Sequence, residues 1–289
     1  MLLPLILGCG ATQLSQSWQI DRLRVLAVAA EPAEPRPGDV VSFTSLTVSP
    51  AVPVAMTTWF VCVFEDAAGC AIDPSVTEDL EGLDPSELSA EELAALYAEL
   101  QAAGLIGVEP FLPPTWVVPA DTLDALDATA RLEGVTATVS VTAIPDQEVV
   151  DEGDLELAFK RVPVSEATTP NRNPGPVGLT VDGLAFPAGT RVALERGQTY
   201  TLAVSLPDDA IEDYTYVTQD GVSETRTEEP YFTWYLQEGS FDETDTLYPY
   251  VEVQYTTPAS PTLEEQSVWV VVRDRRGGMA WTELPIRLR

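Results

Sequence analysis

From Ile20 onward, apolar and polar positions alternate in short runs, the period of strands buried on one face. RLRVLAVAAEP sets Leu23, Val25 and Ala27 against Arg22, Arg24 and Leu26. VVSFTSLTVSP repeats the alternation with β-branched residues, and TTWFVCVF follows with Trp59 at its centre. Pro32, Pro35, Pro37 and Gly38 break the first run and Pro50 ends the second. The pattern resumes in ATARLEGVTATVSVTAIP, through Val135, Ala137, Val139 and Val141, and in DLELAFKRVPVSE. Further on come LTVDGLAF, TRVALERG, QTYTLAVSL, YFTWYLQEG, LYPYVEVQYTTP, SVWVVVRD and MAWTELPIRLR. RDRRGG between the last two predicts a hairpin turn, because glycine accepts the positive φ such turns need.

One segment follows the other period. In DPSELSAEELAALYAELQAAG, Ser89 and Glu92 have capping-box spacing. Leu93, Leu96, Tyr97 and Leu100 then form one apolar stripe, and Gly104 supplies a stop. This predicts a helix whose stripe packs against the neighbouring strands.

The two halves share an order. Gly38-Asp39 precedes VVSFTSLTV and then Trp59; Gly197-Gln198 precedes TYTLAVSL and then Trp234. A turn, a core strand and a Trp-bearing strand is the immunoglobulin-like sequence of elements. The expected fold class is therefore mostly β: two immunoglobulin-like β-sandwich domains in tandem, the first with a helical insertion. The expected divisions are a signal and tether over 1–17, a first sandwich over 18–165 with its insertion near 84–104, a linker over 166–176 and a second sandwich over 177–289. The proline- and asparagine-rich EATTPNRNPGPVG reads as a semi-extended spacer with little packing of its own. Both central tryptophans read as core.

Composition narrows the partners. Among 289 residues, 46 acids face 15 Lys and Arg, so the net charge is −31. Nucleic acid and anionic membrane surfaces would be repelled. The absence of His removes Ser-His-Asp and Cys-His catalysis and His-ligated metal sites.

The opening MLLPLILGC, with its small Gly8 before Cys9, resembles the lipobox of bacterial lipoproteins. That family is cleaved before the Cys, which is then acylated, so the resemblance implies a lipid anchor on Cys9. The apolar run is far short of the ~20 residues a membrane span needs. Residues 11–17 read as a tether. Cys62 and Cys70 flank an acidic loop and would close it as a disulfide in an oxidising compartment; two buried thiols are the alternative. IDRLRVLAVAAEPAEPRPGD, AFKRVPVS followed by NRNP, and VWVVVRDRRGG with MAWTELPIRL resemble a group of predicted surface lipoproteins of myxobacterial type. The resemblance implies an exported, lipid-anchored protein with immunoglobulin-like domains in the cell envelope, at the outer membrane. It supplies no activity.

Candidate chemistry is sparse. No catalytic residues stand out. Adjacent acid pairs such as Asp208-Asp209, Glu228-Glu229 and Glu264-Glu265 read as solvated surface. Calcium is the cofactor that clustered loop acids would suit, with Asp208, Asp209 and Asp213 as main candidates and Asp182, Asp242 and Asp245 behind them. Lys160, the sole lysine, alternates with Leu157 and Phe159 and is expected to face solvent. Arg273, Arg275 and Arg276 form the one basic cluster. Aromatics gather in the second domain: Tyr214, Tyr216, Tyr231, Phe232, Trp234, Tyr235, Tyr248, Tyr250 and Tyr255. Tyr231, Trp234, Arg275 and Arg276 are the binding candidates. The expected function is a non-enzymatic interaction or adhesion module that binds an envelope or cell-surface protein. A glycan-binding protein using the second-domain aromatics is the alternative, and a carboxylate-based glycoside hydrolase the third.

Overall fold

The computed structural model describes residues 16–62, 89–217 and 222–289. In the first domain β1 (Arg24–Glu31), β2 (Val40–Val48) and β5 (Thr115–Val117) form one sheet, in the order β1-β2-β5. β4 (Leu105–Glu109), β3 (Val54–Cys62), β6 (Val135–Pro145) and β7 (Glu156–Val164) form the facing sheet, in the order β4-β3-β6-β7. The pairings are antiparallel, and the chain passes from one sheet to the other between β2 and β3, as in an immunoglobulin-like sandwich. Val28, Val41 and Phe43 meet Trp59, Val139, Val141 and Val162 across the layers. Trp59 is fully buried, and its indole N–H donates to Thr57 Oγ1 at 3.0 Å and Glu109 Oε2 at 3.1 Å.

The insertion carries α1 (Ala90–Ala102), capped by Ser89 and Glu92 as their spacing predicts. Leu96, Tyr97 and Leu100 are half-buried, and the helix lies against β4. Gly104 ends it at φ +101°, and a Cβ there would sit 2.5 Å from the Val61 carbonyl oxygen. ATARLEG, read above as the start of a strand, instead forms α2 (Ala128–Glu133). Asp127 accepts the N–H groups of Thr129 and Ala130, which nucleates a helical turn that alternation alone does not reveal.

The second domain is a fuller sandwich. One sheet runs β15 (Ser240–Phe241), β17 (Glu252–Thr256), β11 (Thr199–Ser205), β8 (Gly178–Val181), β9 (Leu184–Ala185). The other runs β10 (Val192–Leu194), β19 (Met279–Leu288), β18 (Glu265–Arg273), β14 (Tyr231–Leu236), β16 (Asp245–Leu247). The start of the domain is split between sheets: β8 lies between β11 and β9 in one, and β10 pairs in parallel with β19 at the edge of the other. Trp234, Phe232, Leu202, Tyr255 and Val270 are fully buried between the layers. A separate hairpin, β12 (Asp213–Val217) and β13 (Ser223–Thr227), is inserted between β11 and β14.

The domains share an apolar interface. Ile20, Leu26 and Ala27 pack with Trp269 and Val271, flanked by Leu46, Tyr235 and Trp281. This explains why SVWVVVRD loses the alternation of its neighbours. Val268, Val270 and Val272 face the second core, while Trp269 and Val271 face the first domain. A strand buried on both faces reads as a continuous apolar run. The segment before β1 also reaches across: Ile20 N–H donates to Leu236 O at 2.8 Å, and Leu236 N–H to Trp18 O at 3.1 Å.

Candidate functional site: the domain junction and the surfaces it fixes

The turn between β18 and β19 organises the junction. Asp274 Oδ1 accepts the backbone N–H groups of Arg276 (2.7 Å), Gly277 (3.0 Å) and Gly278 (2.9 Å). Arg275 and Gly277 take φ values of +71° and +118°. A Cβ on Gly278 would approach Arg172 O to 2.7 Å. Asp274 Oδ2 accepts from Asn171 Nδ2 at 2.8 Å. Lys160, from the last strand of the first domain, donates its Nζ to Gly277 O.

A second ring of ions surrounds this turn. Arg276 reaches Glu228 at 2.8 Å, Glu212 at 3.5 Å and Glu34 of the first domain at 3.7 Å, and lies 4.4 Å above the Tyr214 ring. Glu34 accepts Ser165 Oγ and the backbone N–H of Asn171. Asn173 donates to Ala30 O and Glu31 Oε2 and accepts the N–H of Met279. Arg273 donates to Thr233 Oγ1 and, across the interface, to Leu26 O at 2.9 Å. Burial lowers the Lys160 amine to about 8, against the pull of Asp274 and with repulsion from Arg273. Burial raises the Asp274 carboxyl, against its hydrogen bonds from Asn171 and the turn backbone. Burial likewise raises Glu228, opposed by the Glu212 N–H and by Arg276.

Several expectations are corrected here. Lys160 does not face solvent; it is 1% exposed. The alternation holds but on the opposite face: Lys160, Val162 and Val164 point inward, while Leu157 and Phe159 are the exposed residues. The linker is not a loosely packed spacer, because Asn171 is buried and Asn173 ties both domains. Glu228 is buried, not solvated.

The binding candidates separate. Trp234 is core and presents no surface; its N–H donates to Thr246 Oγ1. Tyr235 lies in the domain interface, and Tyr255 is core, its hydroxyl donating to Glu238 O with its pKa pushed up by burial. Arg276 is occupied by its three carboxylates. Tyr231 is half-buried, with the Arg273 and Arg275 guanidinium groups 5.6 Å and 6.0 Å from its ring. Arg275 is exposed and meets Glu229 at 3.8 Å. Tyr248 and Tyr250 are exposed just after β16, where Leu247 pairs with Tyr231.

The calcium candidates are not gathered. Asp209 pairs with Arg172 at 3.7 Å, Asp213 accepts from Thr227 Oγ1, and Asp208 is exposed. Asp182 and Asp242 accept backbone N–H groups, and Asp245 accepts from Thr244 Oγ1. Among the described residues no three His, Cys, Asp or Glu side chains converge as a metal site. Cys62 ends β3 and has a bonding partner; Cys9 and Cys70 lie outside the described residues. An open groove of about 360 Å³ lies between Phe186, Pro187, Leu206 and Leu284, with Glu283 its sole carboxylate. No helix among the described residues is long and apolar enough to cross a membrane.

Sequence reasoning missed Asp274, Asn171, Glu34 and Glu212. One signal was available: an aspartate directly before a glycine-bearing turn commonly accepts that turn's own N–H groups.

No family model matches the chain, and no curated protein does. Among solved structures it is similar to a nucleoside hydrolase-related hypothetical protein from Saccharophagus degradans that is associated with carbohydrate metabolism. That match has 14% identity and a TM-score of 0.28 over 41% of this chain and 26% of that one. It is similar to murine CEACAM1b at 10% identity and a TM-score of 0.26, over 91% of this chain and all of that one. It is also similar to SGBP-B of the Bacteroides ovatus mixed-linkage glucan utilization locus, solved with a mixed-linkage heptasaccharide. There the identity is 10% and the TM-score 0.21, over 92% of this chain and 47% of that one. This chain thus spans about a quarter of the first protein and about half of the third. Likenesses this distant carry no argument about function. The chain's own strand order makes it a tandem of immunoglobulin-like sandwiches.

Proposed function

We propose that the chain is a lipid-anchored cell-envelope protein, held at the outer membrane through Cys9, that acts as a non-enzymatic interaction or adhesion module toward another envelope or surface protein. The observation that carries this reading is the run of exposed Leu247, Tyr248 and Tyr250, whose Leu247 pairs with Tyr231, the ring that Arg275 approaches. Tyrosine and arginine dominate binding hot spots, because each offers large contact area with few rotors or a fixed donor fork. The junction supports the reading, since a patch held by a locked body loses little further freedom on binding. A Cys62–Cys70 disulfide belongs to the same exported setting.

The test uses the full chain with Cys9→Ser, pelleted with isolated cell envelopes. Binding should saturate, and Tyr250→Ala with Arg275→Ala should weaken it at least tenfold. Binding that never saturates, or is untouched by the pair, refutes the module. Cells given radiolabelled palmitate should label the wild-type chain and not Cys9→Ser. The second reading, glycan binding, is favoured by the exposed Tyr248 and Tyr250 rings, which would stack on sugar faces. Competition of envelope binding by soluble neutral glycans would select it.

A further inference from the structure

The hairpin β12–β13 is a part of the chain that the sandwich does not need. None of its described side chains belongs to the three core clusters. Every residue of β13 is exposed, and among the described residues β13 pairs with β12 alone. A lone two-stranded hairpin is marginal in water. This one is nevertheless clamped at its base. Glu212 and Glu228 flank its two strands, joined by Glu228 N–H to Glu212 O at 2.9 Å and Glu212 N–H to Glu228 Oε2 at 3.0 Å. Arg276 grips both carboxylates and covers Tyr214, while Arg226 lies 4.0 Å over the Tyr216 ring. Removing one member of a buried ion pair leaves the other charge uncompensated and is strongly destabilising. The clamp thus ties the hairpin's base to the β18–β19 turn.

We propose that β13 is a docking edge, to which an extended, basic segment of a partner protein adds as a third strand. The claim rests on the interaction-module reading but uses a different surface from the Tyr248–Tyr250 patch. Because Glu228 N–H points at β12, antiparallel alternation turns the N–H and C=O groups of Thr227, Thr225 and Ser223 outward. No proline or bulge interrupts SETRT and its pairing register is unbroken, so the outward groups form a continuous row; its charges, Glu224 and Arg226, sit on the residues between them and limit unselective pairing. Its threonines favour a strand. Added strands gain affinity from the main chain and specificity from side chains. The charge selects the occupant. Asp208, Asp209, Asp213, Glu224 and Glu229 are exposed around the hairpin; Arg172, Arg226 and Arg275 pair with Asp209, Glu224 and Glu229, which leaves Asp208 and Asp213 as the local acidic excess. The whole chain carries −31. Such a field repels a second copy and attracts lysine and arginine.

The experiment selects random twelve-residue peptides by phage display on the immobilised Cys9→Ser full chain. Selected peptides are then titrated by fluorescence anisotropy. Thr225→Pro deletes an outward N–H and spares the β12 ladder; Asp208→Lys with Glu224→Lys reverses charge without touching the backbone or the Glu229–Arg275 pair. Net-basic peptides should be enriched, and each variant should weaken them at least tenfold, with Tyr250→Ala leaving them unchanged. If Thr225→Pro lowers the melting temperature, the charge-reversed variant alone decides. Peptides without positive charge, peptides indifferent to the deciding variant, or no enrichment at all overturn the proposal. Peptides lost on Tyr250→Ala alone overturn it too, while leaving the interaction module standing. Self-association abolished by Thr225→Pro would give the edge to a second copy and overturn the basic segment.

Discussion

Replacing Lys160 by Met keeps an unbranched apolar stem in place and removes the buried charge. The amine falls from 10.5 to about 8 on folding, chiefly through desolvation. At 1.36 kcal/mol per unit this is a penalty of about 3 kcal/mol on the native state wherever the amine is charged in both states. Below pH 8 the folded and unfolded chains both hold the proton, so the penalty is full. Between pH 8 and 10.5 the unfolded chain binds a proton that the native chain gives up, so wild-type stability rises with pH. Above 10.5 neither state holds it and the penalty is gone. Methionine cannot titrate, and it loses the donor to Gly277 O at every pH, a cost of about 1–3 kcal/mol. At pH 7 the two effects nearly cancel, and the variant should lie within about 2 kcal/mol of wild type. At pH 10 the variant should have lost about 2–3 kcal/mol relative to that comparison. Lys160 is the sole lysine, so no other lysine side chain titrates across the window. Urea unfolding followed by tryptophan fluorescence at pH 7, 8, 9 and 10 measures the difference. A wild-type minus variant difference that is flat with pH would refute a buried, destabilised amine.

The same burial gives a chemical readout: amine-selective acylation of the native chain should spare Lys160, and urea should expose it, as peptide mass mapping would show. Gly278→Ala places a Cβ against Arg172 O and the Asp274 carboxylate. It should cost at least 2 kcal/mol in urea unfolding, with equal stability the contrary result. Trp269→Ala removes an indole from the domain interface and not from a sandwich core. It should split a single calorimetric transition into two, and an intact single transition at lower temperature would count against independent cores coupled at this face.

Local patterns made most of the architecture legible. Period-two alternation, the Ser89–Glu92 box and the two tryptophans each depend on contacts within one element or between neighbouring strands. So they located α1, the strand runs and both cores. The places that failed share a cause. ATARLEG became helical because Asp127 caps it, and LELAFKRV faces opposite to its expectation because Leu157 and Phe159, the apolar pair that pointed to the buried side, stand in solvent while Lys160 shares the inward face with Val162 and Val164. β12–β13 lies outside the expected strands: Tyr214 and Tyr216 alternate in DYTYV, but SETRT is polar throughout and exposed, so half of the hairpin carries no apolar rhythm.

The junction is the extreme case. Glu34, Lys160, Asn171, Glu212, Glu228 and Asp274 come from six separate stretches of chain, and each alone looks like ordinary polar surface or linker. Alternation along a strand says that one face is buried; it is silent on what buries it. Composition, period and turn chemistry therefore established two β-sandwiches in tandem and an acidic exterior. Which charges are withdrawn from water, which tyrosines remain in it and how the domains lock were set by the packing of one sandwich on the other. Desolvation and ion pairing depend on distances between groups remote in sequence, which are defined once the chain has folded.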